Sequence, residues 1–281
     1  MAEQMEEKRL GWSAGRLALD EAQQDVAIRF GFRFGKRGTH GSRSMMLSAL
    51  SRLLECTPVD ATYEDYRTAI LDDNVLGKPT ASTRLWTWKK LRELYGLDPK
   101  LTVFRCLRQL WQADPPGRPL LALLCACARD PVLRMSAQVI LSVSHGTVLT
   151  ASDFSRAIAE FAPDRFSPKS LKAIGARLLS SWTQSGHLTP GRERKRTRPV
   201  VTPETVAYAL LLGRLCGKRG SLLFSTLWTE LLDAPKEKLF HLAAVASKHG
   251  WINFKRVGSV VEVRFTGLLL SQEEEVLRES N

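Results

Sequence analysis

The stretch that decides the fold runs from Thr150 to Thr202 and reads TASDFSRAIAEFAPDRFSPKSLKAIGARLLSSWTQSGHLTPGRERKRTRPVVT. It opens with Thr150 and Asp153, which match a capping box in which Asp replaces the usual Glu. In such a box the side chain of the first residue accepts the backbone N–H of the fourth, and the side chain of the fourth accepts the backbone N–H of the first. The sequence therefore predicts a helix that begins here and continues through Phe161.

A second helix start follows at Ser167, which is succeeded by Pro168. Serine caps helices well, and proline is favoured at the first helical position because its missing N–H would be unbonded there in any residue. We predict that this helix continues to about Ser185 and ends at Gly186.

The two faces of this second helix differ sharply in character. The apolar residues share one face: Leu171, Ile174, Leu178, Leu179 and Trp182. The other face is basic, small and hydrogen-bonding: Lys169, Ser170, Lys172, Ala173, Ala176, Arg177, Ser180, Ser181 and Gln184. Such a face suits a helix that enters the DNA major groove, which is about 12 Å wide. A solvated polar face is the alternative interpretation.

A strongly basic loop follows directly. Two short β-prone runs, residues 187–189 and 200–202, flank residues 190–199, where five cations stand against the single Glu193. The cations are Arg192, Arg194, Lys195, Arg196 and Arg198. A basic hairpin after a recognition helix is typical of a wing, which lies along the phosphate backbone or reaches into the minor groove. The alternative is a disordered charged loop.

A second helix pair precedes this stretch. We predict one helix over residues 63–71, a turn with Gly77 and Pro79, and another helix from Thr80 or Ser82 to a stop at Gly96. The second helix carries Arg84, Lys89 and Lys90, so the pair has the outline of a helix-turn-helix. An ordinary helical hairpin with a charged face fits equally well.

The remaining segments are read as scaffold. The first 28 residues look helical, residues 29–43 form a basic, glycine-rich loop or turn outside any domain core, and a helix follows from Met45 to about Thr57. Residues 101–111 are amphipathic, whereas residues 120–128 and 132–143 are apolar on most sides and suit central helices.

The helix-then-hairpin order recurs near the C-terminus. Residues 236–249 are predicted helical, and residues 251–265 alternate like a hairpin around Val257 and Gly258. Lys255 and Arg256 fit phosphate contacts, but the aromatic and branched residues favour packing. A structural or dimerising winged unit is our first interpretation and DNA contact the second.

These patterns predict a mainly α fold: a helical bundle with helix-turn-helix and winged-helix units that carry short β-hairpins. Five segments are expected: N-terminal helices with the basic loop (1–58), a helical domain (59–148), a winged-helix unit (149–203), a helix-plus-hairpin unit (204–270) and an acidic tail (271–281).

Charge and cysteine content narrow the possible functions. The chain has 41 Lys and Arg against 29 Asp and Glu, a net charge of +12, which favours polyanionic partners. Its five cysteines are mostly embedded in apolar runs and are expected to be reduced, which indicates a cytoplasmic protein. We expect neither a signal peptide nor a transmembrane segment.

No catalytic signature is recognised. Residues 31–37 (GFRFGKR) invite comparison with a phosphate-binding loop, but the spacing is one residue short and Arg37 replaces the Ser or Thr that holds magnesium. The histidines are scattered, and no Cys or His pairs have zinc spacing. We therefore expect a protein without catalytic residues, metal or cofactor.

Several stretches together resemble a known family. WKKLR from Trp88, SLKAIGARLLSSW from Ser170 to Trp182 and GWINFKRVGSVVE from Gly250 to Glu262, with the apolar helices between them, resemble the BrxA family of bacterial BREX phage-defence systems. The resemblance spans residues 62–268. It implies a cytoplasmic, mainly helical accessory protein that binds DNA beside the methyltransferase, the ATPase and other proteins of the system. The implied DNA surface corresponds to the helix from Ser170 to Ser181 and the wing.

The sequence thus predicts a non-enzymatic, double-stranded DNA-binding protein, either a monomer or a homodimer. An RNA-binding or protein-assembly helical module is the alternative, and an enzyme whose site converges only in the fold is a third. The predicted nucleic-acid-binding residues are Lys169, Ser170, Lys172, Arg177, Ser181, Arg192, Arg194, Lys195, Arg196, Arg198, Arg84, Lys89 and Lys90.

Overall fold

The computed structural model describes residues 19–35 and 38–279, and this part of the chain is mainly helical. The α-helices are α1 (Glu21–Arg29), α2 (Leu47–Cys56), α3 (Tyr63–Leu71), α4 (Ala81–Tyr95), α5 (Thr102–Ala113), α6 (Arg118–Arg129), α7 (Pro131–Leu141), α8 (Ala151–Phe161), α9 (Pro168–Gln184), α10 (Pro203–Leu215), α11 (Leu227–Glu230), α12 (Lys236–Lys248) and α13 (Ser271–Glu279). The strands are β1 (Val148–Leu149), β2 (Arg194–Lys195), β3 (Asn253–Val257) and β4 (Val260–Arg264). The expected fold class, mainly α with short β-hairpins, is confirmed.

The predicted helix starts are capped. Thr62 and Thr80 each form a capping box at the first residue of α3 and α4, and the Asp153 carboxylate accepts from the backbone N–H of Thr150 at 2.8 Å. Gly96 ends α4 with a φ of 92°, a conformation that costs glycine little. These bonds satisfy backbone donors that a helix start leaves unpaired.

The N-terminal expectations are met only in part. Helix α1 begins after Asp20, whereas the rest of the helical prediction, residues 1–18, lies outside the described residues, as do Lys36 and Arg37 of the basic loop. The basic stretch does contain a turn, the 3₁₀ turn Thr39–Gly41, but its placement outside the core is wrong around Thr39 and His40, which are buried. The physical reason is the Asp130 carboxylate, which accepts the backbone N–H of His40 at 3.1 Å.

Helix α6 lies at the centre of the fold, as predicted. Every residue from Leu120 to Arg129 is buried, and α6 packs against α4, α5, α7 and α10. The buried apolar side chains, from Leu19 to Leu277, form one continuous cluster. The five predicted segments therefore share a single hydrophobic core.

Four of the five cysteines lie in that core, and all five are free thiols. Burial raises the pKa of Cys106 to about 12 and that of Cys216 to about 12. Since the thiolate is the reactive form, these residues act as small apolar side chains. Cys56 is exposed at the end of α2.

The predicted acidic tail is a packed helix instead. Leu277 of α13 is buried in the core, and Glu273 forms an ion pair of 2.5 Å with Arg105 of α5. Arg105 also donates to the Leu268 carbonyl at 2.9 Å. The helix contains several acidic residues, but it also contains Leu277, and burial of this apolar side chain holds the helix against the core.

Helices α8 and α9 cross closely at Gly175. A Cβ atom at this position would lie 2.2 Å from the Ala151 carbonyl oxygen and 2.2 Å from the Ser155 hydroxyl. We therefore expect Gly175→Ala to destabilise the protein by about 1–3 kcal/mol, because the helices must separate. Urea unfolding followed by circular dichroism measures this change.

The sign of that change makes the test decisive. Without a steric conflict, alanine in a helix is about 1 kcal/mol more stable than glycine. An unchanged or higher free energy of unfolding would contradict the close crossing. Ser180→Ala, at an exposed position of the same helix, serves as the control and should change stability by less than about 0.5 kcal/mol.

Candidate nucleic-acid interface

The predicted winged unit has the strand pairing of a wing. Strand β2 pairs antiparallel with β1, Leu149 opposite Arg194. On its other side Leu188 bridges Arg196, and the Thr189 N–H donates to the Lys195 carbonyl at 2.9 Å. In chain order the elements are α7, β1, α8, α9 and the hairpin that contains β2. This order of helix, strand, helix, helix and hairpin is that of a winged helix.

The wing is shorter than predicted. The loop spans residues 190–193, with Gly191 at a φ of 106°, and the returning strand begins at Arg194 rather than near residue 200. Thr202 instead caps α10. A run of arginines forms a strand here because its backbone finds partners on both sides, which β-propensity by itself does not reveal.

Helix α9 begins as predicted, with Ser167 as its cap and Pro168 in the first turn. Lys169, Ser170 and Lys172 are exposed near that start. The N-terminus of a helix carries partial positive charge and unpaired N–H groups, and both attract phosphate. The first two turns of α9 therefore present a cationic, hydrogen-bonding surface.

Part of the C-terminal half of the same face is covered. The Arg177 guanidinium donates to the Gly41 carbonyl at 2.6 Å, and the Ser181 hydroxyl accepts the Met45 N–H at 2.9 Å. Ser181 is fully buried, so its assignment to the DNA surface is wrong. The segment around His40 packs on this part of the helix, which helical periodicity cannot show.

Arg196 is also buried and does not belong to the wing surface. Its guanidinium forms an ion pair of 2.9 Å with Asp233 and donates to the Ile140 carbonyl at 3.0 Å. His145 contacts the same carboxylate at 2.8 Å. Arg196 therefore joins the base of the wing to α7 and to the loop after α11.

The other basic residues of the wing remain at the surface. Arg192, Lys195 and Arg198 are exposed, and Arg194 is half-buried. The single acidic residue, Glu193, lies 3.1 Å from Lys195, so the wing keeps a net positive charge.

The second predicted site, on α4, is only partly open. Arg84 is half-buried and lies near the Asp72 carbonyl, and Lys90 forms an ion pair of 2.8 Å with Glu93. Lys89 is exposed. The connection between α3 and α4 spans nine residues, 72–80, and is longer than the three or four residues of a helix-turn-helix turn.

An exposed tryptophan at this site escaped the sequence reasoning. Trp86 is 55% exposed, and the ammonium groups of Lys89 and Lys90 lie 6.0 and 5.9 Å from its ring centroid. It borders a cleft of about 490 Å³ that also includes Arg33 and Arg92. A tryptophan followed by two lysines one turn later is the signal in the sequence that could have identified this site.

The C-terminal unit repeats the winged order. Helices α10, α11 and α12 are followed by the hairpin of β3 and β4, and the 3₁₀ turn Gly220–Ser225 stands where the winged unit has β1. The predicted hairpin is confirmed, with Val257 opposite Val260. Ile252, Val261 and Phe265 are buried, which confirms the packing role. Arg256 is engaged by Glu237 and lies over Phe240.

A buried Ser–His–Asp arrangement lies beneath the α9 surface. The Ser181 hydroxyl is 2.8 Å from His40 Nε2, and His40 Nδ1 is 2.9 Å from the Asp130 carboxylate. Burial by itself raises the pKa of Asp130, but the charge and hydrogen bonds of His40 outweigh it and lower that pKa to about 2. All three side chains are closed to solvent, so the network holds α7, α9 and the 3₁₀ turn together and presents no nucleophile.

A second buried histidine makes stability depend on pH. His187 lies between the Ser185 hydroxyl and the Leu231 carbonyl, each 2.9 Å away. Burial lowers its pKa from 6.5 to about 4, and the charge of Arg196 contributes. Between these two pH values the unfolded chain binds the proton and the folded protein does not. Stability is therefore complete above pH 6.5 and is lost as pH falls towards 4, by about 3 kcal/mol.

Urea unfolding at several pH values between 7 and 4 measures this loss. His187→Gln removes the titrating group, so the variant should lose about 3 kcal/mol less than the wild type over the same range. Comparison of the two pH slopes is independent of any constant cost of the substitution. Parallel slopes would show that His187 does not carry the effect.

No helix in residues 19–35 and 38–279 is long and apolar enough to cross a membrane. The same residues contain no cluster of three or more His, Cys, Asp or Glu side chains that could hold a metal ion. Comparison with models of known protein families finds no match, and no curated protein matches the chain at a significant level.

Proposed function

We propose that the protein binds double-stranded DNA through the first two turns of α9 and the wing that follows. The observation that carries this proposal is the pairing of β2 between β1 and Leu188. That pairing supports a basic turn directly after a helix whose exposed start is also basic. In winged-helix proteins these are the two elements that meet the groove and the adjacent phosphates.

The charge distribution supports contact with phosphate. Five of the surface cations lie in the first two turns of α9 or between residues 190 and 195 of the wing: Lys169, Lys172, Arg192, Arg194 and Lys195. Apart from Lys195, none of them lies within 4 Å of a carboxylate of the described residues. Each cation that neutralises a phosphate releases condensed counterions, so the affinity should depend strongly on salt.

Binding is expected to be dominated by the backbone of the duplex. The exposed face of α9 offers the small side chains of Ser170 and Ala176 beside its lysines, which let a helix approach the wide major groove of B-form DNA. The major groove of A-form RNA is too deep and narrow for side chains to read. Duplex DNA is therefore the preferred ligand of this surface.

RNA binding is the second candidate, and Trp86 favours it. An exposed indole beside two lysines is suited to stack on an unpaired base, and such stacking contributes about 1–3 kcal/mol per base. Trp86→Ala should weaken binding of a single strand or an RNA loop while leaving duplex affinity unchanged. A protein partner, the other alternative, would bind at the same cleft through contacts with Trp86.

The resemblance to BrxA proteins suggests a biological setting for the proposed activity. We propose that the protein is a non-enzymatic accessory component of a bacterial phage-defence system and acts in the cytoplasm beside its other proteins. A strain that carries the system with the wing cations replaced should lose protection in a plaque assay. Full protection by that strain would show that the wing cations are not needed for defence.

Fluorescence anisotropy tests the proposed function directly. The full chain is titrated with a labelled duplex of about 30 base pairs at several salt concentrations, with single-stranded DNA and an RNA hairpin as controls. Five phosphate contacts predict that log K falls with log salt at a slope near −4.5. No duplex binding at low salt, or tighter binding to the RNA hairpin, would overturn the proposal.

A further inference from the structure

A cleft of about 540 Å³ opens in the C-terminal unit, away from α9 and the wing. It lies between the end of α10, the Gly220–Ser225 turn, strand β4 and helix α13. Much of its wall is apolar: Leu223, Val261, Val263, Phe265 and Leu269. A volume of this size falls within the range of small-molecule sites.

Four arginines surround this cleft, and they differ in their partners. Arg264 lies 2.7 Å from Glu262, and Arg278 lies 3.6 Å from Glu274. These two pairs account for both acidic residues of the lining. The other two arginines are Arg214 and Arg219.

Arg214 and Arg219 lie close together, and neither has a carboxylate partner among the described residues. Each guanidinium donates to the same carbonyl oxygen, that of Leu277, at 3.3 Å. Within residues 19–35 and 38–279, no carboxylate lies within 4 Å of either one. Two like charges thus share one neutral acceptor at the edge of an apolar cleft.

Arg214 also has a donor without a partner. Its Nη1 atom is sealed from solvent and forms no hydrogen bond with any described residue. Burial lowers the pKa of Arg214 and the charge of Arg219 lowers it further, whereas the charge of Glu274 raises it and that of Arg278 lowers it again. A buried donor left unpaired is costly, and more so when it is charged. An anion beside Arg214 and Arg219 would offset the repulsion between their charges.

We propose that the cleft binds a small organic phosphate of about mononucleotide size. The phosphate contacts Arg214 and Arg219, because two guanidinium groups suit a dianion with several acceptor oxygens. The apolar part of the ligand lies against Val263 and Phe265. This inference goes beyond DNA binding, since the site uses neither α9 nor the wing.

Isothermal titration calorimetry of the full chain with adenosine monophosphate, adenosine and inorganic phosphate tests the proposal. The nucleotide should bind with a dissociation constant below about 1 mM, at least about tenfold more tightly than either fragment. Arg219→Gln, at an exposed position, should weaken nucleotide binding about tenfold or more, and Arg214→Gln should do the same. Arg192→Gln, which removes an equal charge from the wing, should leave it unchanged.

Three results would overturn the proposal. If adenosine binds as tightly as the nucleotide, the phosphate group contributes nothing to binding. If inorganic phosphate binds as tightly as the nucleotide, the apolar wall contributes nothing. If Arg219→Gln leaves the affinity for the nucleotide unchanged, the arginine pair does not bind the phosphate.

A further arm separates a free phosphate from a phosphate of DNA. If a duplex displaces the nucleotide and Arg219→Gln weakens duplex binding equally, the pair is a DNA contact and the organic phosphate is excluded. If wing variants lose duplex binding and retain nucleotide binding, the cleft is a separate site. Failure of DNA binding therefore leaves the nucleotide result intact.

Discussion

Replacement of Arg192, Arg194 and Lys195 together by alanine is expected to weaken duplex binding about 100-fold. The three cations lie on the wing, and a charge-assisted contact with phosphate contributes about 1 kcal/mol or more at the surface. The slope of log K against log salt should become shallower by about 2.7, since about 0.9 counterion is released per phosphate. The loss should be similar for all duplex sequences, because phosphate contacts carry no base information.

A matched variant separates the wing from net charge. Arg52, Arg67 and Lys100 are also exposed and lie on α2, α3 and the segment before α5, so their replacement by alanine removes the same charge elsewhere. We expect this control to reduce affinity by less than about threefold. Equal losses in the two triple variants would mean that overall charge, not the wing, holds the duplex.

Arg196 is left out of the triple variant because its side chain is buried. A variant that included it would break the ion pair with Asp233 and release the base of the wing from α7. Loss of binding would then report unfolding of the site rather than loss of a contact. The far-ultraviolet circular dichroism spectrum and the unfolding midpoint of the wing variant should match the wild type.

Asp130→Ala is expected to produce the largest loss of stability, about 3–5 kcal/mol. The carboxylate is buried and accepts four hydrogen bonds: from the N–H groups of Val132 and Leu133 at the start of α7, and from the backbone and ring of His40. Removal of this group leaves these buried donors without an acceptor. Urea unfolding at neutral pH measures the change.

Asp153→Ala provides the matched control for the loss of a helix cap. Asp153 caps α8 at a partly exposed position, where it accepts from the Thr150 backbone and hydroxyl groups. Its replacement should cost only about 1 kcal/mol. If Asp130→Ala cost no more than this control, the carboxylate would be a simple cap and the link to His40 would contribute nothing.

Local signals along the chain determined where the helices begin and end. Ser167 with Pro168, Thr150 with Asp153, and Gly96 act through bonds and conformations within a few residues. For this reason α8, α9 and the end of α4 follow from sequence alone. The alternation of residues 251–265 likewise determined the C-terminal hairpin, because its strands are neighbours in the chain.

Which side chains reach the surface was decided by the tertiary structure. Ser181 and Arg196 occupy positions that periodicity places among exposed cations and hydroxyls, yet each meets a partner far away in the chain: Ser181 meets His40, and Arg196 meets Asp233. The exposure of Trp86 and the arginine pair at the C-terminal cleft arise in the same way, from segments that are distant in sequence. Burial and pairing depend on the sum of such long-range contacts. The sequence by itself therefore determined the helices and the basic turn after α9, and only the fold decided which of the predicted residues lie at the surface.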